Sequence, residues 1–420
     1  MIHCNLLSNA TMENPAKFFI QFRRRALDLD WKLPTFILFS IAFLSLSTSF
    51  SSLSVSPKID SIFRGNFSIA KAGPRIAVCL VGGARRFELT GPSIVERILR
   101  VYENSDLFLH SPLDSDAYKL LLLDAAPRIA AVRIFKPSSI PETESASRVL
   151  TAMNSPNGIQ GLLQYFNLVE GCLTMINKYQ DYNSFTYDWI IRTRLDGYWA
   201  GPLGPKNFIP GKYVVPLGSS YGGLNDRFGL GDYNTSVVAL SRLSLIPQLD
   251  SAGLAQLNSE MAFMAQLTTQ GVQYTTSGLP FCIVTDRQYE FPPGPFGVPV
   301  VAMSSLGPLS GAKCRPCRPI CSGPCVEPIL SGLSTNWSWT EWRNNTIGLC
   351  DAHGEWEDGW EERFDTVAGE KLGFARKEIP ALDMDQCVRG FRRMRKRVAH
   401  WDGPKPKQIC RLGLVSKFSN

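Results

Sequence analysis

The sequence predicts an α/β fold: a mixed sheet flanked by helices, with a Cys/Trp-rich C-terminal extension and one N-terminal transmembrane helix. Three observations predict it. Between residues 74 and 305, short apolar runs alternate with stretches of helical spacing, the pattern of a sheet covered on both faces. From 306 to 420 that alternation fades while proline, cysteine and tryptophan rise. Residues 33–53, LPTFILFSIAFLSLSTSFSSL, carry no charge. At about 1.5 Å per residue they span a bilayer's hydrocarbon core.

The elements follow in order. Arg23, Arg24, Arg25 and Lys32 precede the apolar segment. The positive-inside rule therefore keeps residues 1–32 in the cytosol and sends the rest to the lumen, a single-pass type II arrangement. A cleaved signal peptide is the competing reading, and residues 1–32 make a long leader for one. Residues 54–73 read as a stem. RIAVCLV, ending at Gly82-Gly83, reads as a buried strand. SIVERILRVY (93–102) has helical spacing, DLFLH (106–110) is a second strand, AYKLLLLDAA a helix and IAAVRIF (129–135) a third strand. Residues 159–179 put Ile159, Leu162, Leu163, Phe166, Leu173 and Ile176 on one helical stripe. A strand holding Trp189–Arg194 follows.

Composition is that of a globular chain, 44% hydrophobic and 19% charged among 420 residues, and the net charge of +7 suits an anionic ligand. Sequons at Asn66, Asn234, Asn336 and Asn344 lie past the anchor, with a fifth, Asn9, on the cytosolic side. Ten of the 11 cysteines also lie beyond it, an even number that agrees with an oxidising lumen. The basic run VRGFRRMRKRVAH (388–400) reads as a solvated helix face; behind a membrane anchor, nucleic acid is not an expected partner.

Four stretches hold candidate chemistry. In YDWIIRTRLDGYW (187–199), period two puts Arg192, Arg194 and Asp196 on one face of a strand end. They read either as a structural ion pair or as a site where Asp196 holds Mn²⁺ or Mg²⁺ and the arginines meet phosphate. In LVGGARRFELTGPS (80–93), Gly82 and Gly83 let backbone amides approach a ligand, and Arg85 or Arg86 supplies charge; the bland reading is a tight turn. YGGLNDRFGLGD (221–232) reads as a functional loop in which Asp226 binds a sugar hydroxyl, assists a metal or caps a turn. In LNSEMAFMAQL (257–267), Ser259 is the expected N-cap and Glu260 either complements the helix dipole or serves as a general base.

Taken in order, RIAVCLVGGARRF, NSDLFLH, YDWIIRTRLDGYW, LNDRFGLG and NSE resemble a group of GT-A-like glycosyltransferases over residues 74–290. The whole chain resembles an uncharacterised plant family of Golgi glycosyltransferase-like membrane proteins. The resemblance implies a nucleotide sugar held near Gly82, Gly83 and Arg85, and a diphosphate or metal role for Asp196 beside Arg192 and Arg194. It also implies that Asp226 and Glu260 face the donor or a glycan acceptor, in a protein of the Golgi membrane. Two departures stand out: VGGARRF replaces a serine–glycine–glutamine turn, and there is no D-x-D. The alternative reading is therefore an inactive glycan-binding or scaffolding protein.

Cys314, Cys317, Cys321 and Cys325 are too closely spaced for the usual two-pair zinc site. They are expected in disulfides, with Cys350, Cys387 and Cys410 as partners. A zinc-dependent lumenal protein is the third reading. Cys79, Cys172 and Cys282, set in apolar runs, are expected as free buried thiols. Trp337, Trp339, Trp342, Trp356 and Trp360 read as a small core, with sugar stacking second.

Overall fold

The computed structural model describes residues 73–414, apart from 154, 156, 295–296, 334–336 and 339–345. The expected anchor at 33–53 and the sequons at Asn66, Asn336 and Asn344 lie outside the described residues. Among those described, no helix is long and apolar enough to cross a membrane.

IAVCLV forms β1 (Ile76–Val81), buried along its whole length. Its side chains alternate between two cores: Ile76, Val78 and Leu80 face one, Ala77, Cys79 and Val81 the other. A strand covered on both faces reads as a continuous apolar run, which is why it was visible in sequence. Further strands are β2 (Ser105–Pro112), β3 (Ile129–Phe135), β4 (Trp189–Arg194), β5 (Gly197–Trp199), β6 (Lys212–Pro216), β7 (Ser220–Tyr221), β8 (Phe228–Asp232) and β9 (Gln273–Ser277). After them come β10 (Phe281–Val284), β11 (Val300–Ala302), β12 (Lys313–Arg315), β13 (Cys321–Ser322), β14 (Trp337–Ser338), β15 (Gly348–Leu349) and β16 (His400–Asp402).

The main sheet has eight strands in the order β16-β3-β2-β1-β4-β8-β6-β9. Pairing is parallel throughout except on either side of β8, which alone runs against its neighbours. Chain order runs outward one way from β1 to β3 and then restarts at β4 on the other side of β1. In an open α/β sheet, the crevice at such a reversal, at the carboxyl ends of the strands, is where ligands bind. Here those ends are Val81 and Arg194, which are register partners.

Helices cover both faces. One side carries α1 (Phe87–Ile94), the 3₁₀ segment Ala117–Ala125, α5 (Met384–Arg397) and α6 (Pro406–Leu414). The other carries α2 (Gly158–Asn183), α3 (Tyr233–Leu240) and α4 (Ser259–Thr269). Two expectations shift. The helix expected at 93–102 starts at Phe87 and passes into a π turn at Val95–Leu99. AYKLLLLDAA winds as 3₁₀ rather than α.

A second sheet of six strands runs β13-β15-β11-β12-β10-β5. β5 leaves β4 after only Leu195 and Asp196, so the two sheets share that turn. Residues 306–420, read from sequence as a separate region, supply β12, β13 and β15 here and β16 in the main sheet. They belong with the α/β domain to one compact unit, Ala70–Asn420.

All ten cysteines among the described residues are paired: Cys79–Cys172, Cys282–Cys314, Cys317–Cys350, Cys321–Cys325 and Cys387–Cys410. The seven expected in disulfides are all there, but Cys79, Cys172 and Cys282 are not free thiols. Apolar surroundings did not distinguish a buried thiol from a buried bridge. Cys79 on β1 and Cys172 on α2 face the same core, with Cα atoms 6.1 Å apart. Cys282 on β10 meets Cys314 on the adjacent strand β12.

Candidate functional site

The stretch IIRTRLD ends at the reversal point of the main sheet. The Leu195 N–H donates to the Val81 carbonyl at 3.0 Å, which ties the end of β4 to the end of β1. Gly82 follows with φ of +122°, and a Cβ placed there would lie 3.8 Å from the Leu195 nitrogen. The left-handed conformation is what requires glycine. On the far side, the Val284 N–H donates to the Asp196 carbonyl at 2.9 Å, pinning the turn to the second sheet.

Arg194 and Asp196 close a fork: Nε to Oδ1 at 2.8 Å and Nη2 to Oδ2 at 2.6 Å. Both side chains remain partly exposed. Burial by itself would raise the Asp196 carboxyl, yet Arg194, Lys313 and Arg85 hold it below its ordinary value. Arg192 has a different place. It is 1% exposed and its Nη1 donates to the Tyr165 hydroxyl at 3.2 Å. It therefore stands inside the core beneath α2, not in the crevice, and the diphosphate-binding role expected of it has no geometric support. Beside it lies Arg242, 3% exposed and stacked on Phe263 at 3.8 Å, with no hydrogen-bond partner for any guanidinium nitrogen.

Those two guanidiniums bracket Asp226. Burial would push its carboxyl up, but Arg242, Arg192, the Ser259 hydroxyl and Arg194 keep it ionised below the usual carboxylate range. Ser259 Oγ donates to Asp226 Oδ2, so the expected N-cap role of Ser259 is corrected. The cap is Asn258, whose side-chain oxygen accepts from the Glu260 and Met261 N–H groups at 3.0 and 2.9 Å. Ser259, freed from capping, orients Asp226.

Glu260 opens α4 against the glycine loop. Its Oε2 accepts from the Tyr221 N–H, and its carbonyl accepts from Leu224 N–H at 3.2 Å. A Cβ at Gly223 would collide with that same carbonyl group, so the loop needs glycine in order to close on the helix. Desolvation, helped by the neighbouring Asp226 charge, lifts the Glu260 carboxyl to about 8. Arg227 opposes that rise. The Arg227 guanidinium is held by the Ser219 and Gly311 carbonyls at 2.6 and 3.0 Å.

One residue was not legible from sequence. Lys313, at the start of β12, pairs in register with Ile283 of β10, whose other partner is Gly197 of β5. It is partly exposed. Burial, together with Arg227 and Arg194, lowers its ammonium to about 7. The stretch KCRPC drew attention to its cysteines, and no local pattern marks the lysine beside them.

Of the two arginines after the glycine turn, Arg86 is spent on Asp286 at 2.7 Å and on the face of Trp356 at 4.1 Å. Arg85 is exposed and makes no side-chain ion pair among the described residues. Trp356 and Trp360 pack edge to face against the core of the second sheet. Trp339 and Trp342 lie outside the described residues, and of Trp337 only the backbone is described.

A divalent cation does not suit this donor set. Both Asp196 oxygens are taken by Arg194, Asp226 sits among guanidiniums, and Glu260 favours its neutral form at pH 7. No group of three His, Cys, Asp or Glu side chains among the described residues is placed to hold a metal. Arg85, Arg194, Arg227 and Lys313 instead leave the crevice with an excess of positive charge. A groove of about 660 Å³ lies elsewhere, lined by Leu121, Leu122, Leu372, Ile379 and Arg393, and holds none of these residues.

Fold and site together define a mixed α/β protein, disulfide-stapled, with a cationic crevice at its strand reversal. Residues 71–416 match a domain of unknown function, DUF7796, and the chain belongs to that family. No curated protein matches it in sequence. Among solved structures it is similar to apo mouse xyloside xylosyltransferase 1, at 13% identity and a TM-score of 0.32, over 49% of this chain and 84% of that one.

Proposed function

We propose that this protein is a glycosyltransferase that takes a sugar from a nucleotide-sugar donor and passes it to a glycan or glycoconjugate hydroxyl. The carrying observation is a glycine turn and an oriented arginine at the carboxyl ends of β1 and β4, with Lys313 set between that arginine and an acid of raised pKa, Glu260. The ordered sequence resemblance supports the same reading. Gly82, Gly83 and Arg85 receive the donor's phosphates. Arg194, aimed by Asp196, meets the diphosphate as charge develops on it; such preorganised charge acts strongly in a partly dry site. Glu260 takes the proton of the acceptor hydroxyl, a task that favours a pKa near the working pH. Asp226 receives donor or acceptor hydroxyls beside it. With the anchor at 33–53 and sequons beyond it, the proposal places the protein in the Golgi membrane, its α/β domain in the lumen.

Thermal shift of the full chain with UDP-, GDP- and CMP-sugars tests donor binding, since a ligand of the native state alone raises its melting temperature. One donor is expected to stabilise the protein, and Asp196→Ala to lose that stabilisation. Glu260→Gln is expected to keep the donor shift and to lose about 10²–10⁴-fold in transfer. If no nucleotide sugar shifts the melt, the reading fails. The locked Arg194–Asp196 fork favours a second reading, a protein that binds sugars without turnover; donor binding with no transfer to any glycan would select it.

A further inference from the structure

We propose that Lys313, with Arg227 and Arg194, forms a metal-free cradle for the donor's diphosphate, so that donor binding requires no divalent cation. The inference rests on the nucleotide-sugar reading and adds to it the chemistry that neutralises the leaving group.

The argument is one of geometry and charge. β4 delivers Arg194, the loop before β8 delivers Arg227, and β12 delivers Lys313, from three parts of the chain far apart in sequence. Arg194 is rigid in its fork with Asp196, and Arg227 is held by two carbonyls that leave its charge uncancelled. Lys313 has no carboxylate within ion-pair distance among the described residues and is partly open to solvent. Three cations kept close with so little compensation are costly in the free protein. Burial is the first cause of the lowered Lys313 ammonium, and Arg227 and Arg194 lower it further. An anion of two or more negative charges would relieve that cost, and a divalent cation would add to it. A guanidinium fork matches phosphate oxygens in two-point geometry, and an ammonium serves as a compact point charge.

The groups facing Lys313 come from every side: Arg194 and Asp196 from the end of β4, Arg227 from the loop before β8, Arg287 from the segment after β10, and Glu260 from α4. Asp196, the one carboxylate of this set ionised at neutral pH, is already committed to Arg194.

The test titrates the full chain with inorganic pyrophosphate by calorimetry, in EDTA and in Mn²⁺, and titrates Mn²⁺ alone. Pyrophosphate is expected to bind in EDTA. Lys313→Met is expected to weaken it by roughly tenfold or more, as loss of a desolvated charge partner does. Lys313→Arg is expected to stay within about threefold of the wild type near pH 7, since a unit positive charge is kept. The wild-type to Lys313→Arg affinity ratio cancels the titration of pyrophosphate itself. It is expected to fall as pH rises through 7, because only the lysine loses its charge. A purely structural lysine would give no such slope. Binding that appears only with Mn²⁺, or Mn²⁺ bound by the protein alone, overturns the cradle while leaving the donor reading intact. Absence of pyrophosphate binding in both conditions, with no nucleotide sugar shifting the melt, overturns both.

Discussion

Glu260 holds its proton because burial strips water from its carboxyl, and the neighbouring Asp226 charge adds to the effect. Its carboxyl stands at about 8 in the folded chain, where desolvation is the leading cause, against an unfolded value near 4.3. Between those values the folded state binds a proton that the unfolded state has released, so stability falls as pH rises across that window and the full cost is present above 8. Glu260→Gln removes the ionisation and can still accept from Tyr221 N–H. Its melting temperature is expected to match the wild type near pH 4 and to exceed it increasingly toward pH 8, measured by calorimetry across that range. A difference independent of pH would show that the raised carboxyl does not carry the effect. On the proposed function Lys313 acts in the opposite sense: turnover is expected to gain as Glu260 ionises through 8, while donor affinity is expected to decline above 7.

At the scale of elements, α4 and the glycine loop act as one device. Asn258 caps the helix, Ser259 reaches Asp226, Glu260 reaches Tyr221, and Gly223 lets the loop lie against the Glu260 carbonyl. Asn258→Ala is expected to cost about 1 kcal/mol, the worth of a side-chain cap, in urea melts, and Asn258→Ser to recover most of it. An unchanged midpoint for the alanine variant would show that the cap carries no stability. The helix itself was legible, because Met261, Met264 and Leu267 repeat at helical spacing. The capping residue was not: asparagine and serine stand side by side, and both types cap helices well. What decided between them is Asp226, which lies 33 residues away and recruits the serine hydroxyl.

At the scale of the molecule, four of the five disulfides tie together segments 23 to 93 residues apart, and the fifth, Cys321–Cys325, closes a local loop. Cys387–Cys410 closes a span of 23 residues and joins α5 to α6. Replacing both by serine is expected to cost about 2–4 kcal/mol in denaturant melts, while donor-induced stabilisation persists, because neither helix contributes a site residue. Loss of the donor response in a variant that still folds would place those helices in the site's support. The sequence by itself determined the strands β1 to β4, the helix between β3 and β4, the oxidised state of the cysteines expected to pair, and the stretches that hold Arg194, Asp226 and Glu260. Each of these rests on local periodicity or on residue type, which the chain carries wherever it folds. Only the tertiary structure decided that Arg192 enters the core while Arg194 faces the crevice, that Cys79 and Cys282 find partners, and that residues 306–420 complete both sheets. It alone brought Lys313 to the end of β4. These depend on which strands become neighbours, and long-range pairing leaves no mark in the order of nearby residues.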